Sequence, residues 1–396
     1  MTKKDWHIDT ISVHGADAVD KLTGAVAPPI YQTSTFEFDN ADQGEAIFKG
    51  EQEGYIYTRV GNPTQAAFER HIAALECGEA GLAFASGLSA ISGLVLTLCN
   101  SGDNIVSSNT LYGGTHYFFQ DFLKRMNIDA REVPADNLSN LENAIDENTK
   151  LIFIETPANP NLDIIDIAGC VEIARRKGIP LAVDNTFATP ILTRPLEFGA
   201  DVVMHSATKY ISGHGDAVAG ALVGTKELMT RIRKETLMQV GLNISPFNAW
   251  LLLRGLKTLS VRMRKHCENA AYVARFLNTH PKVAVTHFPG LSTHPGHAIA
   301  REQMSGQYGG MVAFELKGTR EDSKKLMDSI EMSVLAVSLG DCDTLICHPA
   351  STTHAKYTPE ELAEAHIGES MIRLSVGIED AQDICDDLEQ ALQKIG

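Results

Sequence analysis

The sequence predicts an α/β protein: an extended N-terminal arm, a large domain on a mostly parallel sheet, and a smaller α/β C-terminal domain. Three observations predict it. From residue 64 to 223, short apolar runs of strand type alternate with helical patterns, and such alternation calls for parallel strands covered by helices on both faces. A helix opening at Pro246 runs past Asn269 to Leu277, long enough to bridge two lobes. The first 61 residues lack periodicity. With 396 residues the chain exceeds one typical core, and the expected bounds are 1–61 for the arm, 62–260 for the large domain and 261–396 for the small one.

Taken in order, the arm is punctuated by Pro28-Pro29, Q-T-S-T-F and Y-I-Y-T-R-V-G-N-P. A stretch this long without its own core lies on the body of its own chain or on a partner subunit. Thr64–Leu75 is a helix with Phe68, Ile72 and Leu75 on one face. Gly81–Ala85 is a strand, and Ser86-Gly87-Leu88-Ser89-Ala90 turns it into a helix reaching about Cys99. A helix start of this kind offers free N–H groups to an anion. It is no Walker A loop, since G-K-[ST] is missing, and no dinucleotide fingerprint, since G-x-G-x-x-G is absent in that context.

Strands then follow at Asn104–Ser107, Asp129–Val133, Leu151–Glu155, Pro180–Val183, Asp201–His205 and Gly220–Val223. Helices at Thr115–Met126, Leu138–Ile145 and Ile167–Lys177 separate the first four. The C-terminal domain has strands at Val283–His287, Gly310–Leu316 and Met371–Val376, with helices around Ser323–Met327 and Ala381–Lys394.

Composition excludes several classes. A net charge of −16 argues against sequence-independent nucleic-acid binding and against an anionic membrane surface. The N-terminus M-T-K-K-D-W-H-I-D-T has no apolar core of a secretory signal. Leu82–Cys99 is uncharged, but its serines and glycines favour a buried strand–turn–helix over a membrane span. Seven scattered cysteines without a C-x-x-C pair suit reduced thiols in the cytoplasm, with neither disulfides nor a zinc site. His294 and His297 lack a third ligand in sequence, and His348 and His354 read as structural.

In sheets of this kind ligands bind at the carboxyl ends of the strands, and those ends carry the polar residues: Ser86-Gly87, Tyr112, Glu155–Pro160, Asp184-Asn185 and Ser206–Lys209. Lys209 can be a phosphate ligand, a salt-bridge partner or an amine nucleophile. Ser206 and Thr208, two apart, would point one way on an extended segment and could both donate to one phosphate. A lysine beside a phosphate seat is what pyridoxal 5′-phosphate (PLP) requires. Asp184, closing a buried-looking strand, either pairs with a cation such as a pyridinium nitrogen or makes an Asx-turn or helix cap. Tyr112 either stacks on a ring or packs in a core. Arg373, inside an apolar strand, either grips an α-carboxylate with its fork or forms an internal ion pair.

Together these residues sit in motifs that resemble the Cys/Met-metabolism (transsulfuration) branch of the PLP enzymes of fold type I: Y-I-Y-T-R-V-G-N-P-T (55–64), A-S-G-L-S-A (85–90), L-Y-G-G (111–114), E-T-P-A-N-P (155–160), D-N-T-F (184–187), H-S-A-T-K-Y (205–210), S-L-G-D (338–341), H-P-A-S (348–351) and I-R-L-S-V-G-I-E-D (372–380). The resemblance implies the PLP-dependent transferase fold type I with a seven-stranded type of sheet. It implies that Lys209 carries the cofactor and moves protons, and that Ser206, Thr208, Gly87 and the Leu88 amide bind its phosphate with Tyr57 and Arg59 of a neighbouring subunit. Tyr112 would stack on the ring and protonate the leaving group, and Asp184 would pair with the ring nitrogen. Arg373, Ser338 and Asn159 would hold the substrate carboxylate. A homotetramer, a dimer of catalytic dimers, is implied as well.

Within the family, the resemblance favours the carbon–sulfur lyases that eliminate a thiol from methionine, leaving 2-oxobutanoate and ammonia. Val337 stands where cystathionine γ-lyases tend to carry a glutamate. Two positions depart from the favoured pattern: Gly114, where a cysteine is common, and Met238-Gln239, where Lys-Asp is common. The rival activities are cystathionine γ- or β-lyase and O-acyl-homoserine sulfhydrylase or cystathionine γ-synthase. A nicotinamide oxidoreductase would explain neither Lys209 nor Arg373, and a non-catalytic scaffold should have lost one of Lys209, Asp184 and Arg373.

Overall fold

The computed structural model describes residues 6–15, 20, 22–355, 357–358, 362 and 366–395. Residues 1–5, 16–19 and 21 of the expected arm lie outside them.

The large sheet has seven strands, β1 (Ala80–Phe84), β2 (Asn104–Ser108), β3 (Asp129–Val133), β4 (Thr149–Glu155), β5 (Leu181–Asp184), β6 (Val202–His205) and β7 (Gly220–Gly224), in the order β1-β7-β6-β5-β4-β2-β3. Only β7 runs antiparallel to its neighbours, so the mostly parallel sheet expected from the alternation is present. Its inner strands β2, β5, β6 and β7 are buried along their whole length and β4 nearly so, while the edge strand β3 is only partly buried, as expected where helices pack on both faces. Register then matters for function. Glu155 faces Asp184 across β4–β5, and Asp184 faces Met204 across β5–β6, which places their side chains on one face at the carboxyl ends of the strands.

The helix Pro63–Leu75 starts where it does because the Asn62 side chain accepts from the Thr64 amide (2.9 Å) and proline occupies its first position. Its buried stripe, Phe68, Ile72 and Leu75, joins one half of the large-domain core. The long helix Pro246–Thr279 is capped by Ser245, whose hydroxyl accepts from the Asn248 amide (3.1 Å), and it packs on the helix Pro63–Leu75 in the large domain and on Val283–His287 and Met311–Leu316 of the second sheet.

The second sheet contains β8 (Val283–His287), β9 (Met311–Leu316), β10 (Val334–Leu335), β11 (Leu345–Cys347) and β12 (Met371–Ser375), in the order β10-β11-β12-β9-β8. Phe314, fully buried on β9, sits in the core that the helix Ala381–Lys394 closes. Replacing Phe314 with alanine is expected to destabilise the fold by about 3–5 kcal/mol, measured as a lower midpoint in urea; an unchanged midpoint would show that this core does not limit stability.

Three expectations change. The arm is not extended throughout, because it contains helices Ile8–His14 and Ala41–Lys49, the latter capped by Asn40 and ended by the left-handed Gly50. It is tied to its own chain at residues 28–31: the Trp250 indole donates to the Pro28 carbonyl (3.1 Å) and the Thr64 hydroxyl to that of Pro29 (2.9 Å). The single helix expected at Thr115–Met126 is a succession of an α-turn (Gly113–Tyr117), a wide π-turn (Phe118–Phe122) and a 3-10 turn (Leu123–Met126). That winding brings Phe119 edge-on to Phe153 at 5.5 Å while Phe118 stacks on Phe122. Finally, β10, β11 and the helix His297–Gln303 were not expected.

Candidate active site

A cavity of about 290 Å³ opens at the carboxyl ends of the large-sheet strands, walled on its other side by the second sheet. Tyr112, Asn159, Asp184, Ser206, Lys209 and Arg373 all line it, as do Gly87, Leu88 and Thr208. A wider groove of about 1350 Å³ lies beside the helix Pro63–Leu75, but none of the expected site residues faces it. Chemistry, not size, selects the smaller cavity.

Lys209 follows β6 in a turn rather than on extended backbone, with its amide bonded to the Ser206 carbonyl (3.1 Å) and its own carbonyl accepting from Gly213 (2.8 Å). The expectation that Ser206 and Thr208 alternate along an extended segment is therefore corrected. Both still line the cavity, while the Thr208 hydroxyl also meets the Ala219 backbone at 3.0 and 3.2 Å. Two neighbours fix this turn. Arg262 of the long helix donates to the Tyr210 carbonyl (2.7 Å). Gly340 (φ +80°) passes so close that a Cβ there would lie 2.5 Å from the Tyr210 amide nitrogen. The Lys209 amine reaches the Ser338 hydroxyl at 3.1 Å. Burial first, then the Arg373 charge, lowers its pKa against the opposing pull of Asp341, which makes the neutral, nucleophilic amine easier to reach.

The helix Gly87–Leu98 points its N-terminus at the same cavity. Ser86 caps it by accepting from the Ser89 amide (3.1 Å), which leaves the Gly87 and Leu88 amides for a ligand. A Cβ on Gly87 would stand 3.1 Å from that of Ser206, so glycine lets the helix start press against the serine. The result is an anion cup.

Of the two readings of Asp184, the structure shows the turn. Its Oδ1 accepts from the amide and hydroxyl of Thr186 (3.0 and 2.5 Å), an Asx-turn. Among the described residues nothing donates to Oδ2. Burial raises its pKa and the Thr186 bonds lower it, so a buried acid lacks the cation that would settle its charge. A pyridinium nitrogen fits that need, and the lysine, the anion cup and the acid together fit PLP.

On the opposite wall, Arg373 on β12 is 3% exposed. Its guanidinium donates to Asn159 Oδ1 (2.6 Å) and to the Ser338 carbonyl (3.0 Å), and its Nε is buried without a partner. No carboxylate pairs with it among the described residues, so the internal ion pair weighed from the sequence is not formed. Its fork is held ready for an incoming carboxylate.

Tyr57 and Arg59 are not brought to this cavity. They lie on the surface of the arm, the Arg59 guanidinium 5.7 Å from the Tyr57 ring centre and bonded to the Met238 carbonyl. Val337 lines the cavity mouth, half exposed. At Gly114, a Cβ would come 2.5 Å from Cε1 of Tyr112, so the missing side chain gives the Tyr112 ring its place. His348, buried, bonds the Ser351 hydroxyl (2.8 Å) and the Glu369 carbonyl (2.9 Å), the structural role expected. Burial pushes His354 down to about 4.

Sequence reasoning placed Glu155 on the rim but gave it no task. It is 4% exposed, lines the cavity and bonds two site residues through their amides, Tyr112 to Oε2 (2.7 Å) and Asn159 to Oε1 (3.1 Å). Burial, then the neighbouring Asp184, raises its pKa well above the usual carboxylate range. The signal that could have found it is the one that picked out Asp184, an acid closing an apolar strand.

Residues 9–393 match the family described as Cys/Met metabolism PLP-dependent enzyme. The chain is 48% identical to an L-methionine gamma-lyase of Fusobacterium nucleatum subsp. polymorphum, covering 100% of both chains. It is 49% identical to the L-methionine gamma-lyase of Pseudomonas putida, over 96% of this chain and 95% of the other. Among solved structures, it is similar (TM-score 0.95, 37% identity, 98% and 100% coverage) to a Campylobacter jejuni protein assigned as an O-acetylhomoserine (thiol)-lyase, which holds a pyridoxyl-lysine monophosphate.

Proposed function

Because the chain belongs to the Cys/Met-metabolism PLP-dependent enzymes, we propose that it is a methionine γ-lyase, eliminating methanethiol from L-methionine to leave 2-oxobutanoate and ammonia. One observation supports the amino-acid chemistry most directly: Ser338 links the Lys209 amine, through its hydroxyl, to the Arg373 guanidinium, through its carbonyl. A nucleophilic amine and a carboxylate clamp thus converge on a single residue. Apolar Val337 at the mouth favours an uncharged thioether tail over one ending in an ammonium.

Bound PLP supplies an electron sink for the charge left at Cα. In this reading Lys209 Nζ holds the cofactor and, once free, takes the Cα proton and serves the further proton shifts at Cβ. The Gly87 and Leu88 amides with the Ser206 and Thr208 hydroxyls hold the phosphate. Asp184 Oδ2 keeps the ring nitrogen charged, while the Thr186 bonds orient it. Tyr112 covers the ring and passes its phenol proton to the departing sulfur. Arg373 grips the α-carboxylate, with Asn159 and Ser338 steadying the fork.

The same reading includes a cytoplasmic homotetramer, built as a dimer of catalytic dimers, in which Tyr57 and Arg59 complete the neighbour's phosphate seat. Their exposure away from their own cavity supports this, as do seven free cysteines. It also divides the chain at 61 and 260, the second cut falling inside the long helix. Among the described residues no helix is long and apolar enough to cross a membrane. The likeness to an assigned O-acetylhomoserine (thiol)-lyase favours the sulfhydrylases as the second reading. A panel of methionine, homocysteine, cysteine, cystathionine and O-acetylhomoserine decides: methanethiol and 2-oxobutanoate from methionine are expected, and turnover confined to cystathionine or the acyl-homoserine overturns the assignment.

A further inference from the structure

We propose that Glu155 is a positioning residue that sets the ring-stacking and carboxylate-gripping sides of the site from a single carboxylate; the inference rests on the PLP-dependent reading above. Its two oxygens serve two different elements. Oε2 accepts from the amide of Tyr112 at the mouth of β2, and Oε1 accepts from the amide of Asn159, four residues past the end of β4. Each donor continues into the site. Tyr112 caps the helical turn Gly113–Tyr117 through its carbonyl, which accepts from the Thr115 and His116 amides (2.8 and 3.1 Å), while its own amide is tied to Glu155. Asn159 passes the constraint on, because its Oδ1 accepts from Arg373 at 2.6 Å.

The carboxylate therefore joins a chain that runs from the tyrosine over the cofactor seat, through Glu155 and Asn159, to the guanidinium. An acid is costly at this depth and beside Asp184. A buried backbone amide could find a cheaper acceptor in a carbonyl or a neutral side chain. Two convergent N–H groups from separate loops need one acceptor with two outward lone-pair faces, and a carboxylate meets that geometry.

The test uses the PLP-loaded enzyme and two variants. Glu155→Gln keeps shape but presents an NH₂ to one of the two amides, so one bond is lost. Glu155→Asp keeps the carboxyl group but is a methylene too short to span both. For each, KM for methionine is expected to rise about tenfold, the cost of leaving one buried amide without its acceptor, with kcat reduced less. The visible circular dichroism of bound cofactor, which reports the asymmetry of its seat, should weaken in parallel. KM and dichroism equal to wild type, with only a lower thermal midpoint, would make Glu155 a plain structural carboxylate and overturn the proposal. Wild-type values in Glu155→Asp would overturn it too, since the reach that lets one carboxyl group span both amides would then not matter. Should Glu155→Gln not fold, Glu155→Asp decides alone. Failure of the methionine assignment would show differently, as no methionine turnover by the wild type, and the dichroism comparison would still stand.

Discussion

Replacing Lys209 with alanine is expected to lower kcat by at least about 10⁴-fold, because in the proposed reaction one amine both carries the cofactor and moves the protons, and general acid–base catalysis alone reaches that size. The loss should be chemical rather than structural. The amine's only described hydrogen bond goes to the Ser338 hydroxyl. The turn that presents it is held by backbone bonds and by Arg262, none of which the substitution touches. Cofactor can still enter, through the helix start at Gly87 and through Asp184, but without a covalent tie. Borohydride reduction followed by peptide mass analysis checks this: the wild-type peptide containing Lys209 should gain the cofactor's mass, and the alanine protein should not. A variant keeping more than a hundredth of wild-type kcat would remove Lys209 from its role.

Arg373→Lys should be nearly as severe, with its effect in KM. Charge is kept, but the planar fork is lost, and with it the paired geometry that two charge-assisted hydrogen bonds to a carboxylate require. Such bonds are worth about 1.5–3 kcal/mol each, so KM for methionine is expected to rise at least about 10²-fold. The buried Nε without a partner identifies a guanidinium whose hydrogen-bonding capacity the protein leaves incomplete. An unchanged KM would show that the substrate carboxylate binds elsewhere.

Much of this site was legible because its residues lie where periodicity is strongest. β4, β5 and β6 are short, apolar and sharply ended, so Glu155, Asp184 and Ser206–Lys209 stood out as polar residues closing buried runs. What the sequence hid was local and geometric. The helix Ala41–Lys49 carries readable signals, Asn40 at one end and Gly50 at the other, but surrounding turn residues masked its single polar-faced stretch. β10 and β11, two and three residues long, are too short for an alternation pattern to register. Whether Ser206 and Thr208 lay on a strand depended on where β6 stops, and strand ends are the least readable boundary. Glu155 escaped as a site residue because its partners are backbone amides, which carry no side-chain identity for a motif to record.

The long helix has a consequence for which molecules the site can accept. Within two of its turns, Arg262 holds the Tyr210 carbonyl, His266 the Val376 carbonyl and Asn269 the carbonyls of Gly377 and Glu379. One stiff rod, about 10 Å of it, thus sets the gap between the amine and the fork. In the proposed reaction an α-amino acid would meet both ends of that gap at once, its carboxylate at the fork and its amino group on the side of the amine.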